Sequence, residues 1–289
     1  MKKKIISVIV GVAGLAAAYF VVSGISHIVY NRPVDNAATE STAETTEQGT
    51  EEAKAAMTED EINEMLAGMK ATETAETATK EQSEVIPVKF EELQAVNPDI
   101  YAWITVPGTV IDYPILQHAS DNTYYLMHNI DGSYGYPGCV YTENMNSKDF
   151  TDNNTVIYGH NMKNGSMFAQ LHKFEDPDFF NENREVLIYL PDEVLHYTIF
   201  AAHVYDDRHL LYSFDFTDPE VYQKYLDSIF STRDMSANID KDVTVTADDQ
   251  IITLVTCIGS QPNNRLLVQA VLTDREPGAE AAQSAVATE

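Results

Sequence analysis

Apolar and polar positions divide the chain into three parts. Residues 5–30 carry no charge and are rich in Val, Ile, Ala and Gly. About 20 such residues span the hydrocarbon core of a bilayer. Over residues 31–84 that pattern is lost. Positions 33 to 84 hold 14 acidic and 3 basic residues and no aromatic one, too little apolar surface to order a chain, which predicts an acidic, disordered linker. Within it, Thr58 and Glu61 form a capping-box start, and Ile62, Met65, Leu66 and Met69 recur at helical spacing, which predicts a short helix in the stalk. From residue 85, short apolar runs alternate with Gly, Pro, Asn and Asp, the pattern of short β-strands between turns.

In that third part, 101–106 and 111–116 flank Pro107-Gly108 and predict a hairpin. A short helix is expected over 121–127, capped by Ser120 or Asp121, and strands over 138–141 and 155–158. Residues 166–171 predict another short helix, and Pro177 opens a turn. Strands 185–190 and 195–204 predict a second hairpin around Pro191-Asp192. The insert 206–237 places Val221, Tyr222, Tyr225, Leu226 and Ile229 on one helical face behind Pro219. Residues 243–246 and 251–257 are expected to complete the sheet, followed by a loop over 258–264, an apolar strand over 266–272 and a disordered polar tail over 274–289. Many short strands with few helices predict a mainly β fold, closed or nearly closed into a barrel.

Charge and termini add direction. Lys2, Lys3 and Lys4 precede the apolar stretch and no basic residue follows until Arg32, so residues 1–4 are expected in the cytoplasm and the bulk of the chain outside. Ala16-Ala17-Ala18 resembles a signal-peptide cleavage site, but the apolar stretch continues past it, which favours an uncleaved single-pass anchor. Asp and Glu outnumber Lys and Arg 45 to 18, a net charge of −27. That excludes a nucleic-acid partner, which needs a basic face. Two cysteines do not make a disulfide framework; a Cys139–Cys257 bridge is formally open.

The candidate chemistry lies at strand ends. Residues 251–257 end in Cys257, and Arg265 starts the next apolar run. A lone Cys is usually buried and inert, and a thiol needs a base or a cation nearby to act as a nucleophile. His160 ends the apolar run 156–158 about 100 residues upstream and could be that neighbour. A papain-like arrangement fits less well, because there the Cys precedes the His and opens a helix. Of the other histidines, His27 lies in the apolar stretch, His196 and His203 in a strand pattern, and His118, His128, His172 and His209 in or near loops. None has metal-ligand spacing, so neither a metal nor a cofactor is expected.

The segments Tyr158-Gly159-His160-Asn161-Met162, with Gly165-Ser166-Met167-Phe168 after it, and Thr253-Leu254-Val255-Thr256-Cys257, with Arg265, resemble the sortases, class B in particular. The resemblance runs from about residue 90 to 272, including Asn97-Pro98-Asp99 before Trp103-Ile104. Val255 stands where a Ser often precedes the Thr-Cys pair, and the run to Arg265 is short. The resemblance implies an eight-stranded sortase-type β-barrel over residues 85–273, with short helices and a helix-bearing insert between the sixth and seventh strands, on the outer face of a Gram-positive membrane. It implies a cysteine transpeptidase that cuts a C-terminal sorting signal after its Thr. Cys257 would be the nucleophile, His160 the proton carrier and Arg265 the oxyanion and backbone holder. Asn122, Leu126, Leu211, Tyr212 and Thr256 would line the substrate groove. The amine acceptor would be lipid II or, alternatively, a pilin lysine. A membrane-tethered binding protein with an inert Cys257 is the alternative of a different class.

Overall fold

The computed structural model describes residues 58–70 and 86–278; the expected anchor at 5–30 and most of the linker lie outside them. Among the described residues no helix is long and apolar enough to cross a membrane. The strands are β1 (Ile100–Thr105), β2 (Asp112–Leu116), β3 (Val140–Thr142), β4 (Asn154–Tyr158), β5 (Glu185–Tyr189), β6 (Glu193–Asp206), β7 (Asn238–Ile239), β8 (Ile251–Ile258) and β9 (Gln261–Pro277). Eight of them follow the order β5-β1-β2-β3-β4-β8-β9-β6, and β6 pairs back onto β5. The barrel is therefore closed, which removes every exposed edge except those of its rims. The two-residue β7 adds to the outside of β6.

Both predicted hairpins form, as the antiparallel pairs β1–β2 and β5–β6. β2–β3 and β4–β8 pair in parallel, so residues nearly 100 apart in sequence lie side by side. Alternation then separates two faces. Ile252 and Leu254 of β8 and Leu266, Val268 and Ala270 of β9 fill the barrel interior. Ile251, Val255, Leu267 and Val271 face outward, under the insert. That insert, between the sixth and seventh barrel strands β6 and β8, holds a helix of four residues (Leu210–Ser213) and a longer one (Pro219–Phe230). The longer helix is capped by Asp218 and buries Tyr222, Tyr225, Leu226 and Ile229; Val221 is only half-buried.

Several expectations need correction. The helix expected over 166–171 is a 3-10 helix, Phe168–Glu175, and Pro177, expected to open a turn, starts the helix Pro177–Glu182, capped by the Asp176 carboxylate. Residues 243–246 form no strand; Thr246 donates through its amide N and hydroxyl to the Asp249 carboxylate, at 2.7 and 2.9 Å, closing a turn instead. The helix expected over 121–127 is a single 3-10 turn, Tyr124–Leu126, because the Asp121 carboxylate binds Thr123 locally. The run 258–264 is not an open loop, since Ile258 pairs with Gln261 and Cys257 with Arg265. The polar residues 274–277 are ordered as the end of β9, paired with Glu193 to His196 of β6.

The part of the linker that is described does not trail free. Helix α1 (Glu59–Met69) starts with the complete capping box of Thr58 and Glu61 and buries Ile62 and Leu66 against a cluster containing Phe90, Leu93, Trp103 and Cys139. Lys70 follows it and contacts both oxygens of Asp112 at 2.7 Å. Asp112 also accepts from Trp103 Nε1 and Thr105 Oγ1, each at 2.8 Å. Apolar packing plus a multiply bonded ion pair thus docks a segment whose composition alone predicts disorder. Leu66→Ala is expected to cost about 2 kcal/mol in urea unfolding. A change below ~0.5 kcal/mol, the size typical of a surface substitution, would show that the helix is not docked in solution.

Candidate active site

Parity places the candidate reactive groups. Cys257 follows Val255 by two residues on β8 and therefore lies on the outer face, beyond the part of that face covered by the insert; it is exposed. Cys139, by contrast, is buried, and burial pushes its thiol far above the ordinary range. It is the inert cysteine of the pair, and no disulfide joins the two. Arg265 is the cross-strand partner of Cys257 in the antiparallel β8–β9 ladder, so the two side chains emerge from the same face about 5 Å apart at Cβ. Arg265 Nη1 donates to the carbonyls of Pro262 and Asn264, each at 2.9 Å, which steadies the guanidinium along its own hairpin.

His160 arrives along β4. In the parallel β4–β8 ladder Tyr158 is paired with Val255, so the segment that carries His160 leaves the sheet two residues before the level of Cys257. After Tyr158 the chain turns away. Gly159 makes that turn possible, because a Cβ there would come within 2.5 Å of the Phe168 ring. His160 Nε2 lies 2.8 Å from the Leu126 carbonyl. A carbonyl only accepts, so Nε2 carries the hydrogen and Nδ1 holds the lone pair. The Tyr136 ring packs 5.3 Å from the imidazole, centroid to centroid. Burial raises the Tyr136 phenol above its ordinary range, and the Cys257 sulfur raises it further. Burial also lowers the His160 pKa, against an upward pull from the Leu126 hydrogen bond.

The Sortase domain family matches residues 104–273. Over 215 residues the chain is 33% identical to Sortase B of Listeria monocytogenes, covering 73% of this chain and 85% of that one. The chain belongs to the sortase family. Solved class B members carry the likeness into structure. Clostridium perfringens sortase B matches with a TM-score of 0.59 at 33% identity, covering 64% of this chain and 100% of that one. A Streptococcus pyogenes class B sortase involved in pilus biogenesis matches with a TM-score of 0.55 at 29% identity, covering 64% and 98%. The protein is a class B sortase, a cysteine transpeptidase.

The expected groove residues of this sortase fall in different places. Tyr212 is 73% exposed on the insert, its ring 4.3 Å from that of His209, and the half-buried Leu211 packs on the cluster beneath the insert. Leu126 is half-buried and gives its carbonyl to His160. Asn122 uses its side-chain oxygen locally, accepting from the Asn144 backbone at 2.8 Å. Thr256 does not line an outer groove: parity turns it inward, it is 2% exposed, and its hydroxyl donates to the Gly159 carbonyl at 2.9 Å. It ties β8 to the turn before His160.

Three features escape sequence reasoning. Asn161 Nδ2 donates to the carbonyl oxygen of Cys257 at 2.8 Å. His172 Nε2 lies 3.1 Å from that same oxygen, while its Nδ1 lies 2.8 Å from Glu175 Oε2. The buried Glu143 accepts from His209 Nε2 at 2.8 Å, and its Oε2 has no partner among the described residues. That contact fastens the insert to the end of β3. Asn161 stands beside His160 in the motif, a usable signal; the positions of His172 and Glu143 carry none.

Two outcomes follow from this geometry. Gly159→Ala is expected to lower stability by about 1–3 kcal/mol, read by chemical denaturation, because the Phe168 ring has no room to yield. An NMR titration of His160 is expected to show a midpoint below the usual value near 6.5. A folded-state value below the unfolded one means that the unfolded chain takes up the proton first as pH falls. This residue's contribution to stability is therefore full above about pH 6.5 and is lost below it. A midpoint at or above the usual value would contradict the burial of the ring.

Proposed function

We propose that this sortase cuts a C-terminal sorting signal after its Thr and passes the acyl group to an amine of a peptidoglycan precursor, lipid II. The observation that supports the assignment of roles is the placement around Cys257: Arg265 directly across from it and His160 two residues beyond the end of the neighbouring strand β4. The Cys257 thiol passes its proton to the free Nδ1 of His160 and its sulfur attacks the Thr carbonyl carbon; the bond from that carbon to the next residue's nitrogen breaks, leaving a thioester. His160 gives a proton to the departing amine. The acceptor amine then attacks the thioester and yields a proton to His160; a new amide forms and the thiolate is released. The planar, permanently charged guanidinium of Arg265 suits an oxyanion and the substrate backbone. Leu126, Leu211 and Tyr212 supply apolar and aromatic surface for the signal, with Asn122 at its edge.

Sortases act at the surface of Gram-positive cells. Residues 5–30 as a single-pass anchor, with the catalytic domain outside, agree with that placement. A pilin lysine as acceptor is the second reading, favoured by the likeness to the Streptococcus pyogenes class B sortase involved in pilus biogenesis. Offered both a peptidoglycan-type amine and a lysine-bearing pilin peptide, the enzyme is expected to give a ligated product mainly with the former; preferential ligation to the pilin lysine would reverse the assignment. Cys257→Ala is expected to abolish both cleavage and transfer. Arg265→Ala is expected to lower kcat/KM by roughly 100- to 1,000-fold. Arg265→Lys, which keeps the charge but not the fork, should stay at least ~10-fold impaired.

A further inference from the structure

We propose that Asn161, braced by His172 and Glu175, is a positioning residue that holds the Cys257 peptide in register with His160. The inference rests on the reading of Cys257 and His160 as the reacting pair. Its starting point is an interrupted ladder. Gly159 N donates to the Val255 carbonyl at 3.1 Å, and in a continuing parallel ladder the next acceptor, the Cys257 carbonyl, would receive the backbone N–H of Asn161. The chain has left the strand by then. Phe168 N donates to the His160 carbonyl at 2.9 Å, and Asn161 pairs with Met167 instead.

The Asn161 side chain supplies the missing bond, with Nδ2 2.8 Å from the Cys257 carbonyl oxygen. One residue thereby spans the gap between the segment carrying the imidazole and the strand carrying the sulfur. The orientation of the amide is determined, because a carbonyl accepts only from the nitrogen end. His172 adds a brace: its Nε2 is 3.0 Å from Asn161 Nδ2 and 3.1 Å from the same carbonyl oxygen. Its Nδ1 is held by Glu175 Oε2 at 2.8 Å. In the neutral ring with Nδ1–H given to Glu175, Nε2 accepts the second N–H of the Asn161 amide; in the charged ring, Nε2–H donates to the Cys257 carbonyl instead.

A clamp is needed at this position. Cys257 is the last regularly paired residue of its strand, with a register shift between it and Ile258, followed by the exposed Gly259 and Ser260. No barrel packing restrains an exposed side chain there, and a misplacement of about 1 Å can cost roughly 100-fold in rate.

The test uses the full chain in detergent with a sorting peptide, reading thioester formation at Cys257, its kcat and KM, alkylation of Cys257 by iodoacetamide and the melting temperature. Asn161→Asp keeps the shape but sets an acceptor against the carbonyl. It is expected to lower kcat by about 10- to 100-fold, with KM and the alkylation rate each within about 3-fold of the parent. Asn161→Gln, which retains the donor, is expected to recover part of the loss. His172→Gln and Glu175→Gln should each lower kcat by a smaller factor in the same pattern, and they carry the test if Asn161→Asp does not fold. A kcat within twofold of the parent in Asn161→Asp, a loss confined to KM, or a loss that tracks alkylation and melting temperature overturns the clamp. Absence of any thioester at Cys257 in the parent enzyme overturns the reacting pair itself.

Discussion

The parallel pairing of β4 with β8 is the constraint on which the site depends. It is non-local, joining residues 154–158 to 251–255, and it sets two things at once. The register brings the segment that leads to His160 alongside the strand that ends in Cys257. The side-chain alternation puts Cys257 on the outer face. The antiparallel β8–β9 hairpin then adds Arg265 to that face with no further device. A slip of one residue in β8 would bury Cys257 and expose Thr256, so the same apolar positions that fill the barrel, Ile252 and Leu254, also keep the sulfur in solvent.

Around this frame, polar contacts do what the ladder cannot. Beyond Gly159 the backbone bonds between the two strands stop, and Thr256, Asn161, His172 and Leu126 take over, each bonded to Gly159, His160 or Cys257 through a side chain or a carbonyl. The result is a histidine with a defined tautomer in a partly buried setting, on the segment that follows β4, and an exposed thiol near the end of the neighbouring β8. Elsewhere on the barrel, the Glu143–His209 contact ties the insert to β3. The His209 Nδ1 accepts from Tyr212 N at 3.3 Å, so its Nε2 carries the hydrogen given to Glu143. The insert is thereby anchored next to Leu211 and Tyr212, the two candidate groove residues it carries.

The candidate catalytic motif was legible because it is written in short segments: a strand that carries Cys257 near its end, another that stops two residues before His160, and Arg265 where the next apolar run begins. The hairpins and the insert helix were legible for similar local reasons, namely turn residues, period and Pro219. The misreadings share a cause. Residues 243–246 are β-branched and alternate, yet the Asp249 carboxylate captures their end in a turn. Residues 274–277 are polar, yet β6 offers them an edge to pair with. Thr256 sits inside a matching motif, yet its parity turns it inward.

The amino-acid sequence by itself therefore determined the period and approximate place of most elements, the acidic character of the chain and the identity of the three candidate reactive side chains, because those properties depend on neighbours a few positions apart. Only the tertiary structure decided that the helix at Glu59–Met69 docks, that the barrel closes through β5 and β6, and that Asn161 and His172 meet the carbonyl of Cys257. Those facts depend on contacts between residues up to about 100 positions apart, and no local pattern of residue types encodes which distant partner a side chain will meet.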